Sequence, residues 1–485
     1  MSGIEDLARI VGKQRVGTDV EVCKGYKDDM SFVSGHVPQC MVRPRTAKDV
    51  QKVVQLANEK GLGLIPCSSG GPHHRGDTVP QVENAVIVDL SEMDSIVRID
   101  TRNKVAMIEP GVCFGALQDA AAQEGLRVVM PLMPRGAKSV IASLLEREPT
   151  TIPKYHWDMS DPLCCVEVIF GTGDLFRTGG AAGPGTLEQQ WASGQAQKSP
   201  MGPSQSDLAR IIQGSQGTMG IVTWATVKLE LLPTIEKPFL VGGETLHELI
   251  EFAYGIVRPR LPDLCLILNR ADLCAIVGED SARCLAPWVL LYSISGYEHY
   301  PQERVDYLEK DVGDIARTAG VTPRHHLHGL GAGSVLSLVI SPSAEPYWKE
   351  RPCGAFQDIF FLTTLDRTPE FVETMIAEAS NYGLARERLG VYVQPIHQGR
   401  ACHVEFTLMY DPKDAGQTEV VKALFHAASR SLLDMGGFFS RPYGPWSDLA
   451  YQRCQDTVTA LRKVKAILDP NGVMNPGKLC FMREV

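Results

Sequence analysis

The stretch LIPCSSGGPHHRGD, residues 64–77, decides how the surrounding chain is interpreted. An apolar run that is typical of a strand ends near Pro66, and a turn of small residues, Ser68-Ser69-Gly70-Gly71-Pro72, follows it. Such small side chains leave the backbone amide groups of the loop free to bind an anion. The loop therefore favours a pyrophosphate site, and an ordinary surface turn is the alternative that this stretch alone leaves open.

Composition and charge limit the classes of function. The 485 residues are 44% hydrophobic and 22% charged, which predicts a globular chain of two or three domains. A formal net charge of −9 and the lack of a basic cluster argue against a nucleic-acid partner. The chain has no run of about 18 apolar residues and no signal-peptide pattern at its start, so we predict a cytoplasmic protein without a membrane span.

The cysteines do not follow a metal-binding pattern. None of the 13 is paired in a C-x-x-C arrangement, and Cys164 and Cys165 are simply adjacent. In a reducing compartment most of them are expected to be buried thiols. We therefore predict neither a metal ion nor an iron–sulfur cluster.

A helix is predicted directly before the glycine loop. Its apolar residues recur at helical spacing, at Val50, Val53, Val54 and Ala57. Thr46 can cap the first turn and Gly61 can end the last one. The strands LGLIP and NAVIVDLS complete an α/β alternation around the loop, and residues 1–34 are expected to form a helical lead-in.

The middle of the chain has a different pattern. Strands such as WVLLYSISG and HVEFTLMYD alternate with helices such as PEFVETMIAEASNYG, which predicts an antiparallel sheet covered by helices. This region also contains His325, His326 and His328, which are close enough to bind a metal or an anion. Because no Asp, Glu or Cys accompanies them at ligand spacing, we interpret them as a solvated loop.

The order of several short motifs carries a family resemblance. The glycine loop is followed by V-D-L (88–90), E-P-G-V (109–112), E-V-x-x-x-x-G (167–173), G-T-M-G-I-V-T (217–223) and L-D-P-N-G-V-M-N-P-G-K (468–478). This order resembles the FAD-linked oxidases and dehydrogenases that share the fold of vanillyl-alcohol oxidase and 4-cresol dehydrogenase. Pro153–Asp158 and Pro200–Asp207 are more similar to the phenol-oxidising branch than to its glycolate- and lactate-oxidising relatives.

The resemblance implies an α+β architecture with two domains. Residues 1–235 would form a two-lobed, PCMH-type FAD-binding domain, with its first β-rich run ending near Pro233. Residues 236–432 would form a substrate-binding α+β cap domain with an antiparallel sheet. Residues 433–485 would return to the FAD-binding domain and pack over the cofactor site.

FAD is the cofactor that the resemblance implies. Its expected contacts are Pro66, Ser68, Ser69, Gly70, Gly71, Pro72, His73, His74, Gly76, Pro134, Ser139, Gly217, Gly220, Ile221, Val222, Asn475 and Lys478. At Gly71 a β-branched side chain would fill the space of the pyrophosphate and disfavour any positive φ. Some relatives tether FAD through a histidine in this loop, but the family pattern has small residues here, so we predict non-covalent FAD with a histidyl link as the alternative.

The substrate is expected to contact the stretch GFFSRPYGPWSDLAY, residues 437–451. In the phenol oxidisers a Tyr-Arg pair in this stretch binds the phenolate oxygen. Here Ser440 stands where the Tyr is expected, while Arg441 keeps the Arg. A guanidinium alone suits a carboxylate or another anion, because its planar fork binds two oxygens. A neutral substrate would instead be held by Tyr443 and Trp446.

The implied reaction is hydride transfer from a substrate carbon to flavin N5, assisted by a base that removes a hydroxyl proton. The candidate bases are His403, His156 and Tyr443, which the sequence does not rank. The substrate would be a 2-hydroxy acid or a phenolic or aromatic alcohol. Electrons would pass to O2, a quinone or a partner electron-transfer protein, and the chain would be a homo-oligomer or a subunit of a complex. The alternatives are a flavin-dependent alkyl transferase resembling ether-lipid (alkyl-glycerone-phosphate) synthase and a non-catalytic FAD-binding subunit.

Overall fold

Helices and strands alternate along residues 2–154, 161–194, 199–202, 207–282 and 284–481, which the computed structural model describes. The helices are α1 (Ser2–Val11), α2 (Val20–Lys24), α3 (Ala47–Lys60), α4 (Phe114–Gln123), α5 (Val140–Leu145), α6 (Leu187–Ala192), α7 (Ala209–Ile212), α8 (His247–Val257), α9 (Arg270–Val277), α10 (Glu279–Ala282), α11 (Pro301–Ala319), α12 (Ala332–Val339), α13 (Thr368–Asn381), α14 (Ala415–Asp434), α15 (Pro445–Tyr451) and α16 (Gln455–Leu468). The strands are β1 (Val16–Gly17), β2 (Cys40–Val42), β3 (Gly63–Cys67), β4 (Ala85–Asp89), β5 (Ile96–Asp100), β6 (Val105–Ile108), β7 (Leu126–Val128), β8 (Leu163–Phe170), β9 (Leu175–Arg177), β10 (Gly220–Leu231), β11 (Ile235–Gly243), β12 (Leu264–Asn269), β13 (Trp288–Gly296), β14 (His326–Leu327), β15 (Leu330–Gly331), β16 (Ala355–Thr363), β17 (Leu389–Ile396) and β18 (Ala401–Tyr410).

A small sheet of order β1-β2-β4-β3 carries the glycine loop. Strands β2, β4 and β3 are parallel, and the loop leaves β3 at its carboxyl end, the edge where open α/β sheets usually bind ligands. Helix α3 covers this sheet and confirms the predicted helix. Its N-cap Thr46 accepts a hydrogen bond from Asp49 N, and Gly61 ends it at φ 66°.

A second sheet completes the part of the chain before residue 235. Its order is β5-β6-β10-β8-β9, with β7 also paired to β10, and the paired strands are antiparallel. Strand β10 begins at Gly220, so the motif 217–223 lies where the turn enters this central strand. The motif is thereby brought beside β8 and opposite the first sheet.

The largest antiparallel sheet has the order β11-β13-β12-β17-β18-β16. One face packs against α8, α11, α13 and α14 in an extensive apolar core. The opposite face packs partly on α9 and α12 and is otherwise turned toward the glycine loop. This architecture confirms the predicted α+β class, while the exact domain bounds 1–235, 236–432 and 433–485 stay a prediction.

The C-terminal segment packs against the start of the glycine loop. Leu64 N donates to Val473 O at 2.7 Å, and Asn475 N donates to Leu64 O at 2.8 Å, so residues 473–475 extend the edge of β3. Helix α16 carries the chain into this position. The late motif 468–478 is thus placed beside the loop that lies 400 residues earlier in the sequence.

The N-terminal lead-in is less helical than predicted. Helices α1 and α2 cover only residues 2–11 and 20–24 of the expected stretch 1–34. The polar residues that follow form turns, because the Asp29 carboxylate accepts hydrogen bonds from Ser31 N at 2.8 Å and Gly76 N at 2.6 Å. The lead-in therefore braces the glycine loop with a side chain instead of extending a helix.

The histidines of the middle region lie on the surface. His325, His326 and His328 are exposed around the hairpin β14–β15, and His325 Nδ1 lies 3.0 Å from Pro238 O. In the described ranges no three His, Cys, Asp or Glu side chains are grouped as metal ligands. Among the same residues, no helix is both long enough and apolar enough to cross a bilayer.

Candidate active site

A deep cleft separates the glycine loop from the β16–β18 face of the large sheet. Its empty volume, counted to the solvent-open mouth, is about 1430 Å³. A second cavity of about 730 Å³ continues it between the two smaller sheets. The two share the wall residues Pro66, Cys67, Ser68, Asp77, Ala142, Glu146 and Tyr443, so they form one elongated space.

The glycine loop is held rigidly at one side of this space. Ser69 Oγ accepts a hydrogen bond from Ser139 N at 3.0 Å, and Arg135 Nη2 donates to Gly70 O at 2.5 Å. Pro66, Ser68, Ser69, Pro72, His73, His74 and Pro134 all line the cleft. Ser139 is fully buried as the N-cap of α5 and braces the loop from behind.

Gly71 lies at an exposed point of the loop, where an added side chain would have open space. A Cβ atom added there would meet no described atom nearer than His73 Nε2 at 4.0 Å, whereas one on Gly70 would lie 2.9 Å from Ala137 Cβ. Gly71 does not have a positive φ, so the conformational half of the sequence argument does not apply to it. The steric half does apply, because a larger side chain would enter the space above the loop.

Two other glycines of the expected site are required by the backbone. Gly76 has φ 73°, and Gly217 has φ 71° with a hypothetical Cβ only 2.4 Å from Pro66 Cγ. Lys478 is buried behind the loop and donates to Gly76 O at 2.5 Å and to Val79 O at 2.7 Å. Lys478 lines neither cavity, so its contact with the expected cofactor site is indirect, through the loop that it fastens.

The second cavity has mostly apolar walls, and Asn475 is one of the polar side chains that line it. Gly217, Gly220, Ile221 and Val222 line it, as the sequence predicted, together with Leu90, Pro110, Ile141 and Ile212. Asn475 donates through Nδ2 to Gln216 O at 2.6 Å and to Asp77 O at 3.1 Å. Its buried Oδ1 has no hydrogen-bond partner among the described residues and is therefore free for a ligand donor.

The two loop histidines differ in their partners. His73 Nε2 lies 3.5 Å from Cys67 Sγ, whereas His74 Nε2 lies 3.0 Å from Glu350 Oε1 and its ring stacks on Phe356 at 4.9 Å. Burial lowers the pKa of both imidazoles, that of His74 to about 3. Both rings are thus neutral at pH 7, and His74 joins the loop to the large sheet.

A balanced ion cluster, which the sequence analysis missed, lies on the loop side of the cleft. Arg75 pairs with Glu146 and with Glu148, each at 2.6 Å, and Lys138 lies 2.9 Å from Glu146 and 3.6 Å from Glu148. Burial raises the pKa of Glu146, whereas for Glu148 burial is outweighed by Lys138 and Arg75 and the pKa falls. Two cations and two carboxylates therefore compensate each other, and we call them the loop cluster.

Arg441 is buried in the cleft wall without a hydrogen-bonded partner. Its side chain is only 3% exposed, and its guanidinium carbon lies 4.0 Å from the centroid of the Phe360 ring. No hydrogen bond joins it to any described residue, and Nη1 is completely enclosed. Burial and the nearby Arg75 lower the pKa of Arg441, which still leaves a charged group at pH 7. A buried guanidinium in this state is poised to bind an anion.

Tyr443 lies in the same wall, two residues after Arg441. Its ring is 5.5 Å below the Arg75 guanidinium and 6.2 Å from the Phe360 ring. Its hydroxyl has no hydrogen-bond partner in the described part of the chain. Burial raises the pKa of Tyr443, so the hydroxyl is a donor at pH 7 and is unsuited to act as a base.

His403 does not reach the cleft in the way the sequence suggested. It is 1% exposed on β18 and is not part of the cleft lining, whereas Glu405, two residues further on the same face, is. His403 Nε2 lies 3.5 Å from Glu405 Oε2, and burial lowers its pKa to about 4. On β18 the imidazole of His403 is therefore buried within the sheet, and Glu405, two residues further along the strand, reaches the cleft wall instead. His156, the other candidate, falls outside the described residues.

A second ion cluster, also missed by the sequence analysis, lies on the sheet side of the cleft. Lys349 Nζ is 2.7 Å from Asp358 Oδ2 and 2.5 Å from Glu405 Oε1, and Thr407 Oγ1 donates to Asp358 Oδ1 at 3.2 Å. Burial raises the pKa of Asp358 to about 6, whereas Lys349 outweighs burial at Glu405 and lowers its pKa. We call Lys349, Asp358 and Glu405 the sheet cluster. In the sequence, the only signal for this cluster is the strand periodicity around Asp358, which places its carboxylate on one face of the sheet.

Asp272 lies behind the sheet cluster on α9. It is fully buried, and neither carboxylate oxygen has a hydrogen-bond partner among the residues described. Burial raises its pKa to about 8, with Lys349 acting in the opposite direction. Asp272 is therefore protonated at pH 7, which avoids an unpaired buried charge.

These features fit an extended FAD molecule. The space is elongated, the loop is open at Gly71, and Asn475 Oδ1 is an enclosed polar atom that lacks a partner among the described residues. Backbone amides near the loop suit a pyrophosphate, and the apolar second cavity suits a flat ring system. Most of the residues expected to hold FAD line this space, whereas five of them line neither cavity: Gly70, Gly71, Gly76, Ser139 and Lys478.

Comparisons with known proteins agree with this geometry. Residues 38–179 match the family "FAD binding domain", and residues 363–479 match "FAD linked oxidases, C-terminal domain". The mitochondrial D-lactate dehydrogenase [cytochrome] of Arabidopsis thaliana is 21% identical over 92% of this chain and 74% of its own length. The structure of p-cresol methylhydroxylase with substrate bound has a TM-score of 0.84 at 18% identity, covering 99% of this chain and 96% of that one. Alkyldihydroxyacetonephosphate synthase has a TM-score of 0.71 at 16% identity, covering 99% and 86%.

The two matched families bracket the cleft from both sides. The first contains the glycine loop and the loop cluster, and the second contains β18, Arg441 and the C-terminal motif. The solved structures share the fold, and the curated relatives are oxidases and dehydrogenases. Residues 38–179 and 363–479 therefore match the FAD-binding domain and the C-terminal domain of FAD-linked oxidases, and the chain is an FAD-dependent oxidoreductase that shares the fold of p-cresol methylhydroxylase.

Proposed function

We propose that the protein oxidises a small aromatic alcohol or phenol whose ionised oxygen binds Arg441. The observation that carries this proposal is the buried guanidinium of Arg441, which stacks on Phe360 and has no hydrogen-bonded partner in the described part of the chain. A buried charge without a partner raises the free energy of the folded protein, so a bound anion would lower it. An anionic substrate oxygen is the simplest partner that the cleft admits.

The walls around Arg441 favour an aromatic ring. Phe360, Tyr443 and Trp446 line the cleft beside it, and the Phe360 and Trp446 rings meet edge to face at 5.0 Å. Aromatic side chains pack well against a ring and exclude water from it. The substrate-bound structure of p-cresol methylhydroxylase, which shares this fold, supports a phenolic ligand in such a cleft.

Tyr443 is proposed as the second donor to the anionic oxygen. Ser440 lacks the ring that the phenol oxidisers have at this position, and its backbone N–H donates to Phe438 O at 2.8 Å. Tyr443 instead offers a neutral hydroxyl without a partner among the described residues, in the same wall as Arg441. The Tyr-Arg pair would thus be retained with a different spacing along the chain.

The residues around the glycine loop would hold the cofactor. Bound FAD would supply the two-electron acceptor for the hydride of the substrate. We propose that the loop amides and Asn475 hold FAD without a covalent link, because His73 and His74 both have close partners on the protein. Acid denaturation followed by centrifugation tests this: the yellow colour should stay in the supernatant, and a yellow pellet would show a covalent link.

The electron acceptor and the assembly are also proposals. We propose that reduced enzyme passes its electrons to O2 or to a separate electron-carrier protein, consistent with a relative named as a cytochrome-linked dehydrogenase. A homo-oligomer or a subunit of a larger complex would suit either route. Measuring the reoxidation rate in air and with cytochrome c distinguishes the two acceptors.

A 2-hydroxy acid is the second candidate substrate. The guanidinium fork of Arg441 fits a carboxylate as well as a phenolate, and one of the relatives is named as a D-lactate dehydrogenase. In both cases Arg441 would hold the anion. The oxidised carbon would lie next to the carboxylate in a 2-hydroxy acid but across the ring from the phenolate in an aromatic alcohol, where the aromatic wall would also contribute to binding.

The test is anaerobic mixing of the holoenzyme with 4-hydroxybenzyl alcohol, mandelate and lactate, followed by flavin absorbance. Lasting bleaching supports the oxidoreductase, and the rank of the three compounds identifies the substrate class. A stable adduct spectrum without reduction would support an alkyl transferase like the synthase of similar fold. No change with any of them would overturn the proposal and favour a non-catalytic FAD-binding subunit.

Variants of Arg441 test the proposed anchor directly. Arg441→Met should cost about 2–5 kcal/mol in substrate binding, seen as a raised KM, because it removes one partner of a buried charge pair. Arg441→Lys should recover only part of the loss, since an ammonium lacks the two-point fork. FAD content should stay near that of the wild type. Unchanged KM and kcat in Arg441→Met would mean that Arg441 does not bind the substrate.

A further inference from the structure

The sheet cluster contains the carboxylate best placed to take a proton from a substrate. Asp358, Phe360, Glu405 and Thr407 lie on one face, because β16 and β18 pair Asp358 with Thr407 and Phe360 with Glu405. Asp358, Phe360 and Glu405 all line the cleft. The face therefore presents carboxylates within two residues of the ring on which Arg441 stacks.

We propose that Asp358 is the catalytic base of the oxidation and accepts the hydroxyl proton of the substrate. This rests on the proposed function, because it needs a hydroxylated substrate held by Arg441. It assigns the base to a residue of the antiparallel sheet, in place of the candidates His403, His156 and Tyr443.

The spacing along β16 supports the assignment. Two residues of a strand span about 6.6 Å, so Asp358 lies about that far along the sheet from Phe360 and its stacked guanidinium. This distance is comparable with the span of a benzene ring substituted in para positions. An aromatic alcohol with its anionic oxygen on Arg441 would place its second oxygen near Asp358.

Asp358 and Glu405 differ in how well neighbouring positive groups compensate their charge, and therefore in basicity. Glu405 is approached by two basic groups, Lys349 at 2.5 Å and His403 at 3.5 Å, both of which favour its ionised form. Asp358 has Lys349 at 2.7 Å, the weaker donor Thr407 at 3.2 Å, and the negative Glu405 as a neighbour. Asp358 is accordingly the more basic carboxylate, with a pKa of about 6 that burial raises, near the range in which a general base works well.

Other titratable groups around Asp358 do not replace it. Tyr347 and Arg75 face it from the neighbouring loops, and Asp272 lies behind the sheet cluster. Burial raises the pKa of Tyr347 above its usual range, and Arg75 is already paired within the loop cluster. Asp272 is fully buried and lines neither cavity. Among the carboxylates on this side of the cleft, Asp358, Glu405 and Asp272, it is Asp358 that combines access to the cleft with basicity.

The proton and electron balance of the step is complete. The O–H bond of the substrate breaks, and its proton forms the O–H bond of the Asp358 carboxyl group. The electron pair left on oxygen forms the new carbonyl bond. The hydrogen of the same carbon leaves with the C–H pair as the hydride, and FAD, the two-electron oxidant of this family, is reduced.

The test uses anaerobic stopped-flow reduction of the holoenzyme by the best of 4-hydroxybenzyl alcohol, mandelate and lactate, between pH 5 and 9. In the wild type the rate should rise with pH through about 6, because the base must be ionised. Asp358→Asn should reduce the rate about 10²–10⁴-fold and remove this rise. Its FAD content and its Kd for 4-hydroxybenzamide, which cannot be oxidised in this way and carries no charge at the end near Asp358, should stay near the wild-type values.

Two neighbouring variants should move the pH profile in opposite directions. Glu405→Gln removes a negative neighbour, so the pKa of Asp358 should fall and the rise should shift to lower pH. Thr407→Val removes the hydroxyl that donates to Asp358 at 3.2 Å, so the rise should shift to higher pH. A group with a purely structural role would not respond in this way.

The outcomes separate the two proposals. If none of the probes reduces the wild-type flavin, the proposed function fails and this inference fails with it. If the wild type is reduced but Asp358→Asn is equally fast or keeps the pH rise, only the base assignment is wrong. If Asp358→Asn does not fold, an unshifted profile in both Glu405→Gln and Thr407→Val overturns the assignment.

Discussion

The loop cluster and the sheet cluster face each other across one cleft, yet their charges are balanced differently. Arg75 and Lys138 match Glu146 and Glu148 two for two, whereas Lys349 alone serves Asp358 and Glu405. A compensated cluster keeps fixed charges and is suited to hold a cofactor. An undercompensated one leaves Asp358 with a pKa of about 6, so it is ionised at neutral pH and suited to accept a proton from a substrate.

The largest expected effect comes from breaking the balance of the loop cluster. Arg75→Met should destabilise the protein by about 3–5 kcal/mol, because Glu146 and Glu148 would then share a single cation. Denaturant unfolding at constant FAD concentration measures it. Arg75→Lys is the matched control and should lose less, and a loss below about 1 kcal/mol in Arg75→Met would mean that the cluster is not stabilised by its pairing.

The next largest effect concerns the proton on Asp272, behind the sheet cluster, and the pH dependence of stability that it causes. The pKa of Asp272 is raised by burial from 3.8 to about 8, so the folded protein keeps a proton that the unfolded chain loses above pH 4. Stability should therefore fall as pH rises between about 4 and 8, by about 1.4 kcal/mol per pH unit. Asp272→Asn does not titrate, so relative to the wild type it should gain about 3 kcal/mol of unfolding free energy between pH 5 and pH 7.

The exposed Asp280 provides the control for that measurement. Asp280→Asn, eight residues away, should keep the wild-type dependence of stability on pH. If Asp272→Asn and the wild type change in parallel from pH 5 to pH 7, then Asp272 is ionised in the folded state and must have a partner.

The glycine loop itself should respond more moderately. Gly71→Val should weaken FAD binding by about 1–3 kcal/mol, roughly 5–150-fold in Kd, because the side chain would fill open space at the loop, where the pyrophosphate is expected. The apoprotein should unfold at nearly the wild-type temperature, since no described atom is displaced. Flavin titration gives the Kd, and full FAD affinity in the variant would place the pyrophosphate elsewhere.

The smallest expected effect concerns the ring between the two clusters. Phe360 carries Arg441 at 4.0 Å and Arg75 at 5.2 Å, so Phe360→Leu should raise KM about fivefold, or about 1 kcal/mol. Phe361→Leu on the opposite face of β16 is the control. It should cost comparable stability in the core without changing KM. Equal KM values for both variants would show that the stacking does not position Arg441.

Local patterns in the sequence were enough to predict the helix α3, its caps and the main strands. Thr46 and Gly61 act through the backbone of their immediate neighbours, so their effect does not depend on distant parts of the chain. The family resemblance added the FAD cleft, because its motifs are short loops in which the local backbone conformation requires glycine. Gly217, whose φ of 71° favours glycine, is one of these.

The candidate bases were harder to predict because their environment is not local. His403 lies in the predicted strand, but only the pairing of β17 and β18 and its contact with Glu405 remove it from the cleft. Tyr443 was identified, yet its raised pKa follows from burial that no sequence pattern reports. The lead-in 1–34 was overpredicted as helix because the bond between Asp29 and Gly76 joins residues 47 positions apart.

The sequence by itself determined the α+β class, the glycine loop, the FAD family and the presence of an arginine at position 441, since these depend on residue order and local spacing. The tertiary structure alone decided which charges are paired. Lys349, Asp358 and Glu405 come from three separate segments and meet only when β16 and β18 pair, and Arg75 finds its carboxylates more than 70 residues later in the chain. Ionisation in the cleft is set by burial and by these long-range contacts, so the proton acceptor could be proposed only after the chain was folded.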